Sequence, residues 1–170
     1  VTPDFAARTV AGTASLSFKP IARPLSTLEL DSMGLPIDDV TAKGAIVAAR
    51  QSTEEKLLIT FAQPIAPDAE VTLDIRYHVQ PDNGLYFRTP EMGYKPGDTQ
   101  VWSQGEAELH RYWFPCYDYP NERFTSEVIC HVPEGMKVIS NGPLVSQEKG
   151  ESAAVISDAM PEIVIIAGMF

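Results

Sequence analysis

Three histidines, His78, His110 and His131, and two cysteines, Cys116 and Cys130, are the side chains of this chain best suited to ligate a transition metal or to act as nucleophile and base. Their spacing supports neither use. The histidines are followed by Val79, Arg111 and Val132, so the H-E-x-x-H pair that places two zinc ligands on one helix face does not occur. The cysteines are not spaced as a zinc knuckle, and two are too few for a disulfide framework. They read as buried free thiols, with a single disulfide or a redox role as the alternative. One short polar segment stands apart from the histidines and cysteines, Gln104-Gly105-Glu106. Taken alone it is a polar surface loop without a ligand.

The elements that must position these residues read as β nearly throughout. From Val71 to Val79 apolar residues fall on every second position with polar ones between, the pattern of a strand with one wet face. Thr9 to Phe18 repeats it, with Val10, Ala14, Leu16 and Phe18 on one side. Shorter β runs cover Leu25–Leu30, Ala45–Ala49, Lys56–Phe61, Phe124–Val132 and Lys137–Ser140, and Ile163–Ala167 reads as a strand buried on both faces. Turn signals divide them, among them Lys43-Gly44, Asn83-Gly84, Pro96-Gly97-Asp98 and Asn141-Gly142; the last reads as a hairpin turn. No helical period persists for three turns. The expected architecture is all-β, a curved or saddle-shaped sandwich of short, mostly antiparallel strands, with residues 1–170 forming one domain.

Composition narrows the function. Of 170 residues 44% are hydrophobic, enough for a core, and 23 acidic against 13 basic residues leave a formal net charge of −10. A phosphate binder needs a positive surface, so nucleic acid and anionic membrane are not expected partners. No apolar run approaches the roughly 20 residues that span a bilayer. Val1-Thr2-Pro3-Asp4-Phe5 has neither the basic nor the apolar region of a secretion leader, which tilts expectation toward the cytoplasm without fixing the compartment.

From Gly84 onward the chain is more specific. It reads Gly84-Leu85-Tyr86, then Gln104-Gly105-Glu106, then Arg111-Tyr112-Trp113-Phe114-Pro115-Cys116-Tyr117-Asp118-Tyr119-Pro120, with Val132-Pro133-Glu134-Gly135 and Ser140-Asn141-Gly142 after it. In order and spacing this run closely resembles the amino-terminal β domain of M1 zinc aminopeptidases of the aminopeptidase N-like type. The resemblance is strong over about half the chain. It implies a domain standing in front of a catalytic domain in the same polypeptide, where H-E-x-x-H and a distant Glu hold zinc. Neither that motif nor the family's Gly-x-Met-Glu-Asn loop lies in this chain. The expectation is therefore no catalytic residue, no zinc and no cofactor in this segment, which alone is inactive; zinc belongs to the catalytic domain of the parent enzyme.

The resemblance also implies roles. Glu106 helps bind the free α-ammonium of a peptide substrate, and Gln104 lines the pocket for its first side chain. A carboxylate in a water-poor cleft gives a charge-assisted hydrogen bond to an ammonium, and holding the N-terminus places the first peptide bond at the reacting centre. Relatives often carry a cis-proline after this Glu; here Ala107 stands there, so a preserved loop shape requires a cis Glu106–Ala107 bond. Arg111, Phe114, Pro115, Cys116 and Asp118 read as architectural, Arg111 and Asp118 through hydrogen bonds and an ion pair, with catalysis the less favoured reading. Tyr112, Trp113 and Phe114 read as core or domain-interface aromatics. His110 reads as solvent-facing rather than as a proton shuttle. Two other functions compete with the aminopeptidase: a non-catalytic M1-like scaffold, against which the intact Gln104 and Glu106 count, and a free-standing β-sandwich binding module.

Overall fold

The computed structural model describes residues 1–119, 121, 123–148, 151–159 and 165–168. Its strands are β1 (Thr2–Asp4), β2 (Thr9–Phe18), β3 (Leu25–Asp31), β4 (Ile37–Lys43), β5 (Val47–Ser52), β6 (Lys56–Ile65), β7 (Val71–Val79), β8 (Leu85–Arg88), β9 (Gln100–Ser103), β10 (Phe124–His131), β11 (Lys137–Ser140), β12 (Leu144–Glu148), β13 (Glu151–Ala159) and β14 (Ile165–Gly168). They form sheets in the orders β1-β2-β7-β4, β3-β6-β5, β8-β9-β14-β11 and β10-β13-β12, and every pairing among them is antiparallel. Helical structure among the described residues is confined to single 3-10 turns at Pro90–Met92, Pro96–Asp98 and His110–Tyr112. None is long and apolar enough to cross a membrane.

Alternation explains the first core. Val71, Leu73, Ile75 and Tyr77 of β7 are all buried, while Asp74, Arg76 and His78 between them are exposed. In β6, Leu57, Ile59 and Phe61 are buried in the same alternating way. Joined by Leu30, Ile65, Val71, Leu73 and Ile75 they form one apolar cluster between the sheet of β7 and the sheet of β6. A second cluster joins Val10, Leu85, Phe87, Val101, Trp113, Cys130, Val132 and Ala167, so β8, β9 and β14 present their inner faces to β2 and β10. Fully burying such a side chain stabilises by about 1.5–3 kcal/mol.

The expected all-β, antiparallel architecture is the one observed. One local expectation is corrected. Asn141-Gly142 does not close a hairpin, because β11 before it pairs with β14 and β12 after it pairs with β13; neither residue has a positive φ. Of the strand expected over Ile163–Ala167, Ile165 to Ala167 lie in β14 (Ile165–Gly168), and Ile163 and Val164 lie outside the described residues. Strands β4, β12 and β13 were not marked by alternation, and β13 (Glu151-Ser152-Ala153-Ala154-Val155-Ile156-Ser157-Asp158-Ala159) is rich in small residues that carry little β preference.

Candidate functional site

The segment with chemical content begins where β9 ends. Leu85 pairs with Ser103 across β8 and β9, and the Gln104 N–H donates to the Gly84 carbonyl at 2.9 Å, carrying the ladder one residue further. Gly84 has φ 71°, and a Cβ there would overlap the Leu109 carbonyl oxygen, so only glycine fits. The Leu109 N–H donates to the Gly105 carbonyl at 2.9 Å, closing residues 105–109 into a turn that contains a cis Glu106–Ala107 peptide bond. Gly105 is buried, Gln104 half-buried, and Glu106, Ala107 and Glu108 are exposed. On the outer face of the same strands Tyr86 and Trp102 pair with ring centroids 4.7 Å apart.

Beneath the turn lies a buried polar cluster. Asp118 Oδ2 accepts from the Arg111 backbone N–H at 3.0 Å and from Arg111 Nε at 3.1 Å. Its Oδ1 lies 3.0 Å from His110 Nδ1; a carboxylate oxygen accepts, so Nδ1 carries the hydrogen. Asp31, at the end of β3, accepts the Asp118 backbone N–H on Oδ2 at 3.0 Å, and its Oδ1 pairs with Lys56 Nζ at 2.8 Å and Arg111 Nη1 at 3.5 Å. Asp31 and Cys116 also exchange backbone hydrogen bonds at 2.7 and 3.1 Å. Arg111 reaches outward as well, from Nη2 to Glu108 Oε2 at 2.8 Å. The guanidinium and the Lys56 ammonium both lie over the Tyr119 ring, 5.3 and 5.4 Å from its centroid.

The electrostatics follow. The hydrogen bond to Asp31 holds the Lys56 ammonium well above the ordinary lysine range, against the opposing effect of burial. For Arg111 burial pulls the pKa down, but the Asp118 hydrogen bond and the nearby carboxylate charges prevail and raise it. Burial, then the charges of Asp118 and Asp31, push the Cys116 thiol far up, so it is no nucleophile at neutral pH. Both cysteines are free and buried.

Several residues marked in the sequence thus meet. Arg111 and Asp118 form an ion pair, Pro115 and Cys116 are buried, and Phe114 packs edge-on against Trp113 at 4.5 Å. Trp113 is core, while Tyr112 and Phe114 are half-buried. Pro120 lies outside the described residues. The solvent-facing reading of His110 is overturned: it is 4% exposed, because Asp118 satisfies its ring nitrogen and Phe114 covers it. Asp31 and Lys56, which sequence reasoning missed, carry no local motif; the nearest signal is a charged residue that closes β3 directly after Leu30. Among the described residues no group of three or more His, Cys, Asp or Glu could hold a metal ion.

The family model for the peptidase M1 N-terminal domain matches residues 1–158. A probable aminopeptidase 1 of Sulfurisphaera tokodaii is 30% identical over 141 residues, which are 80% of this chain and 16% of that protein. Among solved structures, yeast LTA4 hydrolase in complex with bestatin superposes with a TM-score of 0.79 at 21% identity, over 99% of this chain and 27% of that one. A mutant M1 zinc metallopeptidase of Deinococcus radiodurans, bound to a Tyr-Ser-Ala substrate, superposes with a TM-score of 0.72 at 22% identity, over 94% of this chain and 38% of its own. The chain therefore spans well under half of the length of each of these proteins.

Proposed function

The chain belongs to the family of peptidase M1 N-terminal domains, and from that premise we propose that it serves a zinc-dependent aminopeptidase as the wall of the cleft that receives the substrate's N-terminus. In this reading the partner is the catalytic domain of the same polypeptide and the substrate is a peptide with a free α-amine. Glu106 binds the α-ammonium, and Gln104 lines the pocket for the first side chain. Arg111, Phe114, Pro115, Cys116 and Asp118 form the platform under them.

One observation carries the assignment. The turn offers two exposed carboxylates, and Glu108 is spent on Arg111, whereas among the described residues no cation is paired with Glu106. A carboxylate on a backbone pinned at both ends, with no internal partner, is poised for an external cation. Among the described residues no donor group fits zinc, and in this proposal the domain's share of the reaction is binding and orientation. It supplies no catalytic residue and is inactive alone in this proposal.

The test is Glu106→Ala and Glu106→Gln in the full-length protein. A lost charge-assisted contact is worth about 1.5–3 kcal/mol, so kcat/KM for aminoacyl substrates should fall about 10- to 100-fold, through KM. An unchanged specificity constant would refute the assignment.

A further inference from the structure

His110 occupies a position that none of the foregoing roles requires. Its ring lies against Gly105, the middle residue of Gln104-Gly105-Glu106, so closely that a Cβ at Gly105 would overlap Nε2 and Cε1. The imidazole is held on its other sides. Asp118 Oδ1 meets Nδ1 at 3.0 Å, and the Phe114 ring packs against it at 5.6 Å and 65°. Asp118 is itself immobilised by the Arg111 backbone and side chain and, through its own N–H, by Asp31. A continuous chain of contacts thus runs from the end of β3 through Asp118 and His110 to the Cα of Gly105, one residue from both Gln104 and Glu106.

From this geometry we infer that His110 is a positioning residue: its ring is the rigid plane on which the Gly105 backbone rests, and it sets where the Gln104 amide and the Glu106 carboxylate stand. Gly105 is glycine because the ring takes the space of a side chain. A loop that carries its binding groups at its tip gains precision only when a packed, hydrogen-bonded support fixes its base. The effect on substrate rests on the amine-binding role proposed above; the effect on the loop does not.

Both effects are tested in the full-length protein, with His110→Asn as the main variant. Asparagine keeps a donor near the Nδ1 position for Asp118 but has no ring to support Gly105, so the fold is retained while the loop loosens. Amide hydrogen exchange over residues 103–109 should accelerate about tenfold or more, while β7 stays protected. KM for aminoacyl substrates should rise roughly 10-fold with kcat within about twofold. Gly105→Ala should raise KM in the same way, and Gly105→Ala combined with His110→Ala should lie nearer wild type than the product of the two single effects, because the methyl group enters the space the ring leaves. Faster loop exchange with KM unmoved in both His110→Asn and Glu106→Ala would uphold the positioning and refute the amine role. Unchanged exchange over 103–109 would overturn the inference, as would a KM that responds to Glu106→Ala but to neither His110→Asn nor Gly105→Ala.

Discussion

The backbone N–H of Asp118 donates to a carboxylate oxygen of Asp31 at 3.0 Å, tying together residues 87 positions apart, both side chains almost wholly buried. Asp31 closes the edge of one sheet, and Asp118 lies in the segment that follows the candidate loop. The contact therefore fixes the loop's base to the sandwich, and Lys56 and Arg111 neutralise the charge it buries.

Removal of that carboxylate is costly. Asp31→Ala leaves one arm of Arg111 and the Asp118 N–H without their partner and leaves the Lys56 ammonium only Glu29 and Tyr119, and breaking a buried pair destabilises by about 3–5 kcal/mol. Asp31→Asn retains an acceptor for the N–H and loses less. Urea unfolding midpoints of the two variants should rank in that order, and a midpoint for Asp31→Ala equal to wild type would contradict the network.

Arginine at 111 is used for its shape. Its Nε, Nη1 and Nη2 address Asp118, Asp31 and Glu108 separately. A lysine carries one point charge and cannot span all three, so Arg111→Lys should destabilise by about 2 kcal/mol. Thermal unfolding reads this directly.

Gly84→Ala tests the other support of the loop. The left-handed backbone alone costs a non-glycine residue about 1–2 kcal/mol, and the methyl group must also displace the Leu109 carbonyl. The sum should reach at least about 2 kcal/mol in denaturant unfolding. Gly34, also at positive φ but with no atom within 4 Å of the Cβ position, should show the backbone cost alone.

The chain should lose stability on the alkaline side. Burial pushes the Cys130 thiol up from 9.0 to about 11. The unfolded chain therefore releases this proton first, so the stabilisation is complete below about pH 9 and is lost as pH rises toward 11. The loss is about 2–3 kcal/mol. Lys56, held above the ordinary lysine range by its bond to Asp31, adds a loss of the same sign that begins near pH 10.5. Urea midpoints measured from pH 8 upward should fall more steeply for wild type than for Cys130→Ala.

What could be read from residues alone was whatever depends on near neighbours in the chain. The two-residue alternation in Val71–Val79 set which side chains of β7 are buried, because successive strand residues point to opposite faces. The run from Gly105 to Asp118 carried its own information, because the glycine at 105 and the Arg111–Asp118 spacing serve contacts between residues five and seven positions apart. Asn141-Gly142 misled, since a turn dipeptide specifies a bend but not which strands pair on either side. Tertiary structure alone decided the fate of His110, whose sequence neighbours give no sign that Phe114 and Asp118 fold over it. It alone brought Asp31 and Lys56 under the loop, for contacts between distant strands follow from sheet packing and leave no period in the chain. And it alone placed Arg111 against Glu108, an exposed carboxylate two residues from Glu106 that carries no such mark in the sequence.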